Sequence, residues 1–306
     1  MSGRAPFDGP VSRADIVARI EAHPLGETPE AMRRNFRRLV LGDGDARELP
    51  HSVTDVEAPV PGLLFPAPSP PGPLANPPEG IVIHFHGGGY VFGSPETHGR
   101  LLAGLVARTG LDVFAPVLPL APEHPWPAQL DTALAAVEAA RDPFVLSGDS
   151  AGGHLALVAA LETARRGRPA AGLVLFSPNT DRSGLSATRE SNDPLDPMVS
   201  DAGDRALARM AFGDRERGDP QVSPLLGDLS LLPPLHVEVG RDEVLADDAR
   251  LLADGARAAG VAVTYHEEPD GLHMGQLWTP WWDVADASLD RAAAFIRELS
   301  PFRGAL

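Results

Sequence analysis

The sequence predicts an α/β fold, in which a mostly parallel sheet carries helices on both faces. Three observations predict it: short continuous apolar runs recur from residue 81 onward, helical patterns separate most of them, and 306 residues suffice for one large α/β domain. The apolar runs, read as strands, are 81–85, 112–117, 144–147, 172–177, 235–240 and 261–266. The helical patterns are 96–109, 127–141, 151–166, 245–259 and 283–299.

The first part of the chain has a different pattern. Residues 1–50 predict amphipathic helices, one of which begins at Thr28-Pro29, because threonine is a typical N-cap and proline fits the first helical position. The apolar side chains of that helix fall on one face: Met32, Phe36, Leu39 and Val40. Residues 58–79 are rich in proline, which donates no ladder hydrogen bond, and predict an edge strand or a surface loop.

The alternation of strands and helices breaks once more, over residues 179–222. This segment is polar, rich in Asp, Ser and Arg, and has one helical pattern near 201–212. We therefore expect an insertion there. The predicted organisation is N-terminal helices over 1–50, a core over 51–178, the insertion, and the core again over 223–306.

Charge and composition exclude several classes of protein. The net charge is −16 and the pI about 5.0, so a nucleic acid would be repelled over most of the surface. Without cysteine there is no disulfide, no thiolate metal site and no cysteine nucleophile. We expect a soluble, cytoplasmic protein, because the N-terminus has no signal-peptide pattern and no apolar run reaches the ~18 residues of a membrane span.

A sharp turn around Ser150 predicts a nucleophile. The segment 148–152, GDSAG, lies between strand 144–147 and helix 151–166 and matches the G-x-S-x-G nucleophile elbow. A residue with a β-carbon at either glycine position, 148 or 152, would clash with the neighbouring strand or helix. The strained serine also sits at a helix N-terminus, which favours developing negative charge. The alternative is a glycine-rich turn with a serine N-cap.

A run of glycines predicts an oxyanion hole. The segment 86–89, HGGG, directly follows strand 81–85. Acyl transfer needs donors aimed at the tetrahedral oxyanion, and glycines let backbone N–H groups approach a substrate closely. We expect the donors to be the N–H groups of Gly87, Gly88 and Ala151. The alternative, a flexible loop, does not explain why the run follows a strand and precedes the elbow.

With these motifs the chain resembles the hormone-sensitive-lipase family of α/β-hydrolases, in the subgroup with HGGG and GDSAGG. A third family segment, Leu-Ala-Pro-Glu-His-Pro, is present at 120–125, and the resemblance covers residues 80–300. One departure is Leu118-Pro119, where the family usually has Tyr-Arg. The resemblance implies an α/β-hydrolase fold with a helical cap over the pocket, formed by 1–50 and 179–222.

The family order Ser, acid, His also predicts the base and the acid. His273 is the expected base because it follows the last predicted strand. Position alone favours Asp242 or Glu243 as the acid, since both lie just past strand 235–240. In the family the acid is followed by any residue, Leu, any residue, Asp and an acidic residue, and 244–248 match that run without a gap. Register therefore favours Glu243, which replaces the usual aspartate.

Three other groups of residues have weaker interpretations. The pair His84-x-His86 is a poor metal candidate, because no further ligand cluster accompanies it. The acidic residues at 247 and 248 are expected to stabilise a helix N-terminus. A cluster of tryptophans either packs near the base or belongs to the core: Trp278, Trp281 and Trp282.

Taken together, the motifs predict a serine carboxylesterase that acts on a small-molecule ester of short to medium chain without cofactor or metal. A lactonase or an N-deacetylase using the same site remains an alternative. So does a non-catalytic receptor, because the plant gibberellin receptor resembles this family but has lost the catalytic histidine. We expect neither a nucleic-acid nor a membrane partner, and the sequence leaves a homodimer open.

Overall fold

Residues 5–42, 49–50, 52–68 and 80–302 are described by the structure, a computed structural model. Within these residues, eight strands form one sheet in the order β1-β2-β4-β3-β5-β6-β7-β8. The strands are β1 Thr54–Val56, β2 Gly62–Phe65, β3 Ile81–Phe85, β4 Asp112–Pro116, β5 Phe144–Asp149, β6 Gly172–Phe176, β7 Leu235–Gly240 and β8 Val263–Glu268. The α-helices are α1 Arg13–Ala22, α2 Pro29–Leu41, α3 Gly99–Thr109, α4 Ala128–Ala139, α5 Ala151–Arg165, α6 Thr188–Ser191, α7 Asp201–Phe212, α8 Ala246–Ala258 and α9 Asp283–Glu298.

Strands β3 to β8 form the parallel part of the sheet. Every residue of β3, β5, β6 and β7 is buried. Because successive side chains of a strand point to opposite faces, both faces of this region are covered. The predicted fold class is therefore confirmed. The carboxyl ends of β3, β5, β6, β7 and β8 lie along one edge of the sheet, where ligands bind in open α/β sheets.

The proline-rich segment contains a strand that is not at the edge, so that expectation is wrong. Strand β2 pairs antiparallel with both β1 and β4, and β1 is the edge strand. The prolines do not interrupt the ladder because they flank the strand, with Pro61 before it and Pro66 after it. The part of the segment between 69 and 79 lies outside the described residues.

The last strand begins later than expected, at Val263 rather than at 261. Val261 lies just after α8, where its N–H still donates to Ala256 O (3.0 Å). The carbonyl of Ala262 accepts from Leu235 N (2.9 Å), ahead of the regular ladder. Residues 261 and 262 thus lie between the helix and the regular ladder, which begins at Val263.

Helix α2 is fastened to the loop that follows β3. Thr28 caps it as predicted, because its Oγ1 accepts from Ala31 N (3.2 Å). Arg33 donates to the carbonyls of Val91 and Ala121 (both 2.9 Å) and to both carboxylate oxygens of Glu123 (2.8 and 2.6 Å). The hydrogen bond from Arg33 lowers the pKa of Glu123 to about 2. Glu123 belongs to the 120–125 motif, so this motif joins α2 to the core.

Among the remaining helices, α3 packs against α9, α4 against α5 and α6 against α8. Helix α7 occupies 201–212, as predicted, inside the polar segment 179–222. None of the helices in the described part of the chain combines the length and the apolar character that a membrane crossing needs.

Candidate active site

The turn between β5 and α5 holds Ser150 in a strained conformation. Its backbone φ is 53° and its ψ −120°, a region that non-glycine residues rarely adopt. A β-carbon on Gly148 would meet the carbonyl of Gly152, and one on Gly152 would meet the carbonyl of Phe85. Both glycines are therefore required by close backbone approach, as predicted. The side chain of Ser150 caps no helical N–H, so the N-cap alternative is wrong.

Ser150, His273 and Glu243 form one line of hydrogen bonds. Ser150 Oγ donates to His273 Nε2 (2.9 Å), and His273 Nδ1 donates to Glu243 Oε2 (2.9 Å). All three residues are buried, Ser150 being 8% exposed and the other two 2% or less. The structure thus brings the predicted nucleophile, base and acid together from three different loops at the carboxyl edge of the sheet.

Asp242, the other acid candidate, points away from this line. Its side chain is 42% exposed and lies 4.0 Å from the guanidinium of Arg13. Glu243, by contrast, has its second oxygen held, because Ser177 Oγ donates to Oε1 (2.8 Å) and so does the backbone N–H of Gly240. The carboxylate is therefore fixed at both oxygens, with Oε2 directed at His273.

Ser177 and Asp196 are two supporting residues that the sequence did not predict. Ser177 follows β6 with a positive φ of 46°, which aims its hydroxyl at Glu243. Asp196 accepts from Val244 N (3.0 Å), next to Glu243, and from Met198 N (2.9 Å). A positive φ on serine has no signal in one sequence, and Asp196 is one acidic residue among several in a polar segment.

The charge of His273 is set by opposing effects. Burial disfavours the imidazolium, but the hydrogen bond and negative charge of Glu243, with a further contribution from Asp196, raise the pKa above its usual value of 6.5. A neutral imidazole with a raised pKa is a good proton acceptor near neutral pH. The site can therefore remove a proton from Ser150.

Gly87 does not supply an oxyanion donor, so this part of the prediction is wrong. Its N–H donates to Asp149 Oδ2 (3.1 Å), below the loop, and Gly87 does not line the cavity in front of Ser150. Gly88 and Gly89 do line that cavity, and their N–H groups find no acceptor among the described residues. Ala151 begins α5, where a first-turn N–H has no helical partner.

Asp149 connects two segments of the site: the nucleophile turn, residues 148–152, and the glycine loop, residues 86–89 after β3. It is fully buried and lies 3.1 Å from His84 Nε2 and 3.2 Å from His98 Nε2. Burial opposes its negative charge, but the charges and hydrogen bonds of His98 and His84 lower its pKa far below the usual range. Together with the bond from Gly87, this carboxylate fixes the loop relative to Ser150.

This network also explains the His84-x-His86 pair. His84 bonds Ser147 Oγ (3.0 Å) as well as Asp149, and His86 bonds the carbonyl of Gly87 (2.8 Å). No group of three or more His, Cys, Asp or Glu side chains in the described ranges is arranged to hold a metal ion. Both histidines therefore have structural partners.

The tryptophan cluster belongs to the core beneath the N-terminal segment. Trp278 is fully buried and meets the ring of Phe7 edge-on, with centroids 5.9 Å apart. Trp281 packs on the same phenylalanine, at 5.8 Å, and Trp282 packs against Gly275. Asp247 and Asp248 lie in the first turn of α8, as expected, but Asp248 is fully buried and also pairs with Arg189 (2.8 Å).

A cavity of about 320 Å³ opens in front of Ser150 and His273. Its walls are mainly apolar and come from the loop before α2, from α2, from the glycine loop and from the segment 198–207. The apolar lining residues are Leu25, Met32, Phe92, Met198, Val199, Ala206, Leu207, Leu245 and Met274. An apolar pocket with a few convergent polar groups at its floor is typical of a small-molecule site.

Comparison with protein families gives one matching model, described as an alpha/beta hydrolase fold, over residues 82–277. An esterase of Acinetobacter venetianus is 33% identical over 227 residues, which cover 72% of this chain and 75% of that protein. An acetyl-hydrolase of Streptomyces hygroscopicus is 35% identical over 224 residues, 71% of this chain and 75% of that protein.

Solved structures of esterases are similar over almost the whole chain. An esterase from the bacterial hormone-sensitive lipase family superposes with a TM-score of 0.83 at 29% identity, covering 94% of this chain and 97% of that one. A hormone-sensitive lipase from a metagenome library has a TM-score of 0.81 at 27% identity, covering 95% and 99%. The similarity thus includes the regions before and after the family match.

Proposed function

Because the chain belongs to the hormone-sensitive-lipase family of α/β-hydrolases, we propose that it is a serine carboxylesterase that hydrolyses short- to medium-chain esters through an acyl-enzyme. The observation that carries this proposal is the buried line of hydrogen bonds from Ser150 to Glu243 at the floor of an apolar cavity. The relatives named esterase and acetyl-hydrolase support it.

In the first half of the reaction, Ser150 Oγ attacks the ester carbonyl while His273 Nε2 takes its proton. The tetrahedral intermediate then collapses, and His273 gives the proton to the departing alkoxide, which leaves as the alcohol. In the second half, His273 removes a proton from water as the oxygen of that water attacks the acyl-serine. His273 then returns the proton to Ser150 Oγ as the carboxylic acid leaves. Glu243 holds the imidazole in the Nδ1–H tautomer and stabilises its charged form.

The negative charge of the intermediate needs donors opposite Ser150. The N–H groups of Gly88, Gly89 and Ala151 are our candidates, because the first two line the cavity and the third starts the helix directly after the nucleophile. Such donors act strongly because they are fixed before the reaction begins, and losing one costs ~10²–10³ in kcat. Asp149 and His84 are positioning residues that hold this loop.

We also propose that helices over 1–50 and the insertion 179–222 cap the cavity. Leu25, Met32 and most residues of 198–207 line the cavity. Arg33 ties α2 to the glycine loop through the carbonyl of Val91. The cavity volume is at the lower end of the range for small-ligand sites, which supports a short or medium acyl ester.

The alternatives differ in what the same groups would attack. Lactones and amides pass through the same tetrahedral intermediate, so a lactonase or N-deacetylase would use the same line of residues. A receptor without catalysis is disfavoured because His273 is present and bonded to Ser150. The acetyl-hydrolase similarity favours a small acyl group. Turnover of matched p-nitrophenyl esters, lactones and anilides therefore tests the proposal, and we expect the esters to be the fastest.

Narrowing the cavity at Met32 is expected to change chain-length preference. In Met32→Trp the larger ring occupies space on the α2 wall, so kcat/KM for p-nitrophenyl octanoate should fall by about tenfold or more, whereas the acetate ester changes by less than about threefold. The matched control is Met210→Trp, on α7 and outside the cavity lining. Equal losses on both esters in Met32→Trp would contradict the proposal that α2 closes the acyl site.

The pH dependence of activity follows from His273. Only the neutral imidazole accepts the serine proton, and its pKa lies above 6.5, so kcat/KM should fall as the pH drops through that raised value. Asp196→Asn removes a negative charge that raises this pKa, and the acid limb should therefore move to lower pH. A pH–rate profile of both proteins checks this, with melting temperatures as control because Asn cannot accept from both Val244 and Met198 as the carboxylate does. An unmoved limb in a folded variant would exclude the role of Asp196.

A further inference from the structure

A second cavity of about 320 Å³ lies beside α7 and has a different chemistry from the catalytic one. The chain has 26 basic side chains, and all of them are arginine. Six line this one cavity: Arg182, Arg189, Arg205, Arg209, Arg215 and Arg217. Three acidic residues, Asp201, Asp204 and Asp214, also line it, so cations outnumber anions there although the whole chain carries a charge of −16.

Four of these arginines already have carboxylate partners, one of them being Arg182, which lies 3.6 Å from Asp204. Arg189 bonds Asp248 and Asp204 (2.8 and 2.9 Å), Arg205 pairs with Asp201 (2.6 Å), and Arg215 lies 3.6 Å from Asp219. They account for the acidic residues closest to them. Arg182 shares Asp204 with Arg189, so the excess positive charge is mainly on Arg209 and Arg217.

Arg182 is buried but incompletely bonded. Its side chain is 7% exposed and its guanidinium lies over the ring of Phe212, 5.0 Å from the centroid. One terminal nitrogen donates to Val222 O (3.2 Å) and the other is 3.6 Å from Asp204, but Nε has no hydrogen-bond partner. A buried donor on a charged group is costly to leave unbonded, so this atom points to a ligand.

Arg209 and Arg217 add two free guanidinium groups at the rim. Both are exposed, and neither pairs with a carboxylate in the described part of the chain. A guanidinium is planar and binds phosphate or carboxylate through two parallel hydrogen bonds, which an acidic protein surface would otherwise repel. The two unpaired guanidinium groups, together with the incompletely bonded Arg182, match an oxyanion with two negative charges.

We propose that this cavity binds a phosphate group, free or on a small organic molecule, through Arg182, Arg209 and Arg217. The site is separate from the catalytic cavity, and α7 lies between them: Asp204 lines both, whereas Ser150 and His273 line only the catalytic one. The proposal does not rest on ester hydrolysis, and binding is measured without any ester.

Calorimetric titration of the full chain with inorganic phosphate and, separately, with glycerol phosphate tests the site at constant ionic strength. We expect a Kd of about 1 mM or tighter for at least one of them. Arg209→Gln with Arg217→Gln should weaken binding by about tenfold or more, because two charge-assisted contacts are lost. Tighter binding of glycerol phosphate would identify an organic phosphate as the occupant, and equal binding would identify free phosphate.

The control is the double variant Arg166→Gln with Arg257→Gln, two exposed arginines outside the cavity whose loss changes the net charge equally. It should bind phosphate as the unaltered protein does. Melting temperatures show that both variants are folded. Absence of binding to both probes, or equal weakening in the control variant, would overturn the proposal.

Discussion

Ser150→Ala is expected to lower kcat for p-nitrophenyl butyrate by about 10⁴–10⁶, leaving KM nearly unchanged. The mutation removes the oxygen that is 2.9 Å from His273 Nε2 and leaves the cavity and the candidate oxyanion donors in place. Residual turnover should then come from binding and oxyanion stabilisation alone. Initial rates at saturating ester measure this loss directly.

The control for Ser150→Ala is another buried serine outside the line of catalytic hydrogen bonds. Ser288 Oγ accepts from Gln276 (2.9 Å) and does not line the catalytic cavity, so Ser288→Ala should change kcat by less than about threefold. A fluorophosphonate reagent should add its mass to the unaltered protein and to Ser288→Ala only. Labelling of Ser150→Ala at the same rate would place the nucleophile elsewhere.

Glu243→Gln is expected to reduce kcat by up to ~10⁴-fold, because it changes the tautomer of His273. Oε1 of Glu243 receives two donors, Ser177 Oγ and Gly240 N, so the carbonyl oxygen of the glutamine will occupy that position. Its NH₂ group then faces Nδ1, which must accept a hydrogen bond instead of donating one. The imidazole proton moves to Nε2, where it blocks transfer from Ser150. Rates with the butyrate ester measure the loss.

Asp242→Asn gives the matched comparison, because it makes the same chemical change one residue away on an exposed side chain. Its kcat should stay within about threefold of the unaltered value. Glu243→Asp restores the charge on a shorter side chain and should recover activity only partly, since a misplacement of about 1 Å can cost ~10². A larger loss in Asp242→Asn than in Glu243→Gln would show that the register argument is wrong.

Local patterns predicted most of the parallel sheet, because a strand buried on both faces is a continuous apolar run. They also predicted the turn at Ser150, where two glycines are required by close backbone approach. The choice of Glu243 over Asp242 depends on aligning residues 244–248 with the family motif, because either carboxylate could serve as the acid. The proline content of 58–79, averaged over the whole segment, misplaces β2 at the edge, because the four residues of that strand include no proline.

The contacts that the sequence could not predict all join residues far apart in the chain. Gly87 and its two neighbours are chemically identical in sequence, and only the position of Asp149 beneath the loop distinguishes which N–H is already bonded. Ser177 bonds Glu243 across 66 residues, and Asp196 bonds the neighbouring Val244 across 48. The arginine cavity is likewise invisible, since its cations are spread over 182–217 among several carboxylates.

The carboxylate of Asp149 determines how the effects of two mutations near the active site combine. It holds His84 on β3, His98 before α3 and the N–H of Gly87, so the loop that faces the substrate and the turn that carries the nucleophile share one anchor. Mutations in the loop and in the turn should therefore have non-additive effects on activity. Once one mutation has loosened the site, a second one should reduce activity by less than it does alone. A pair of changes around Asp149 is therefore expected to cost less than the sum of the two single effects.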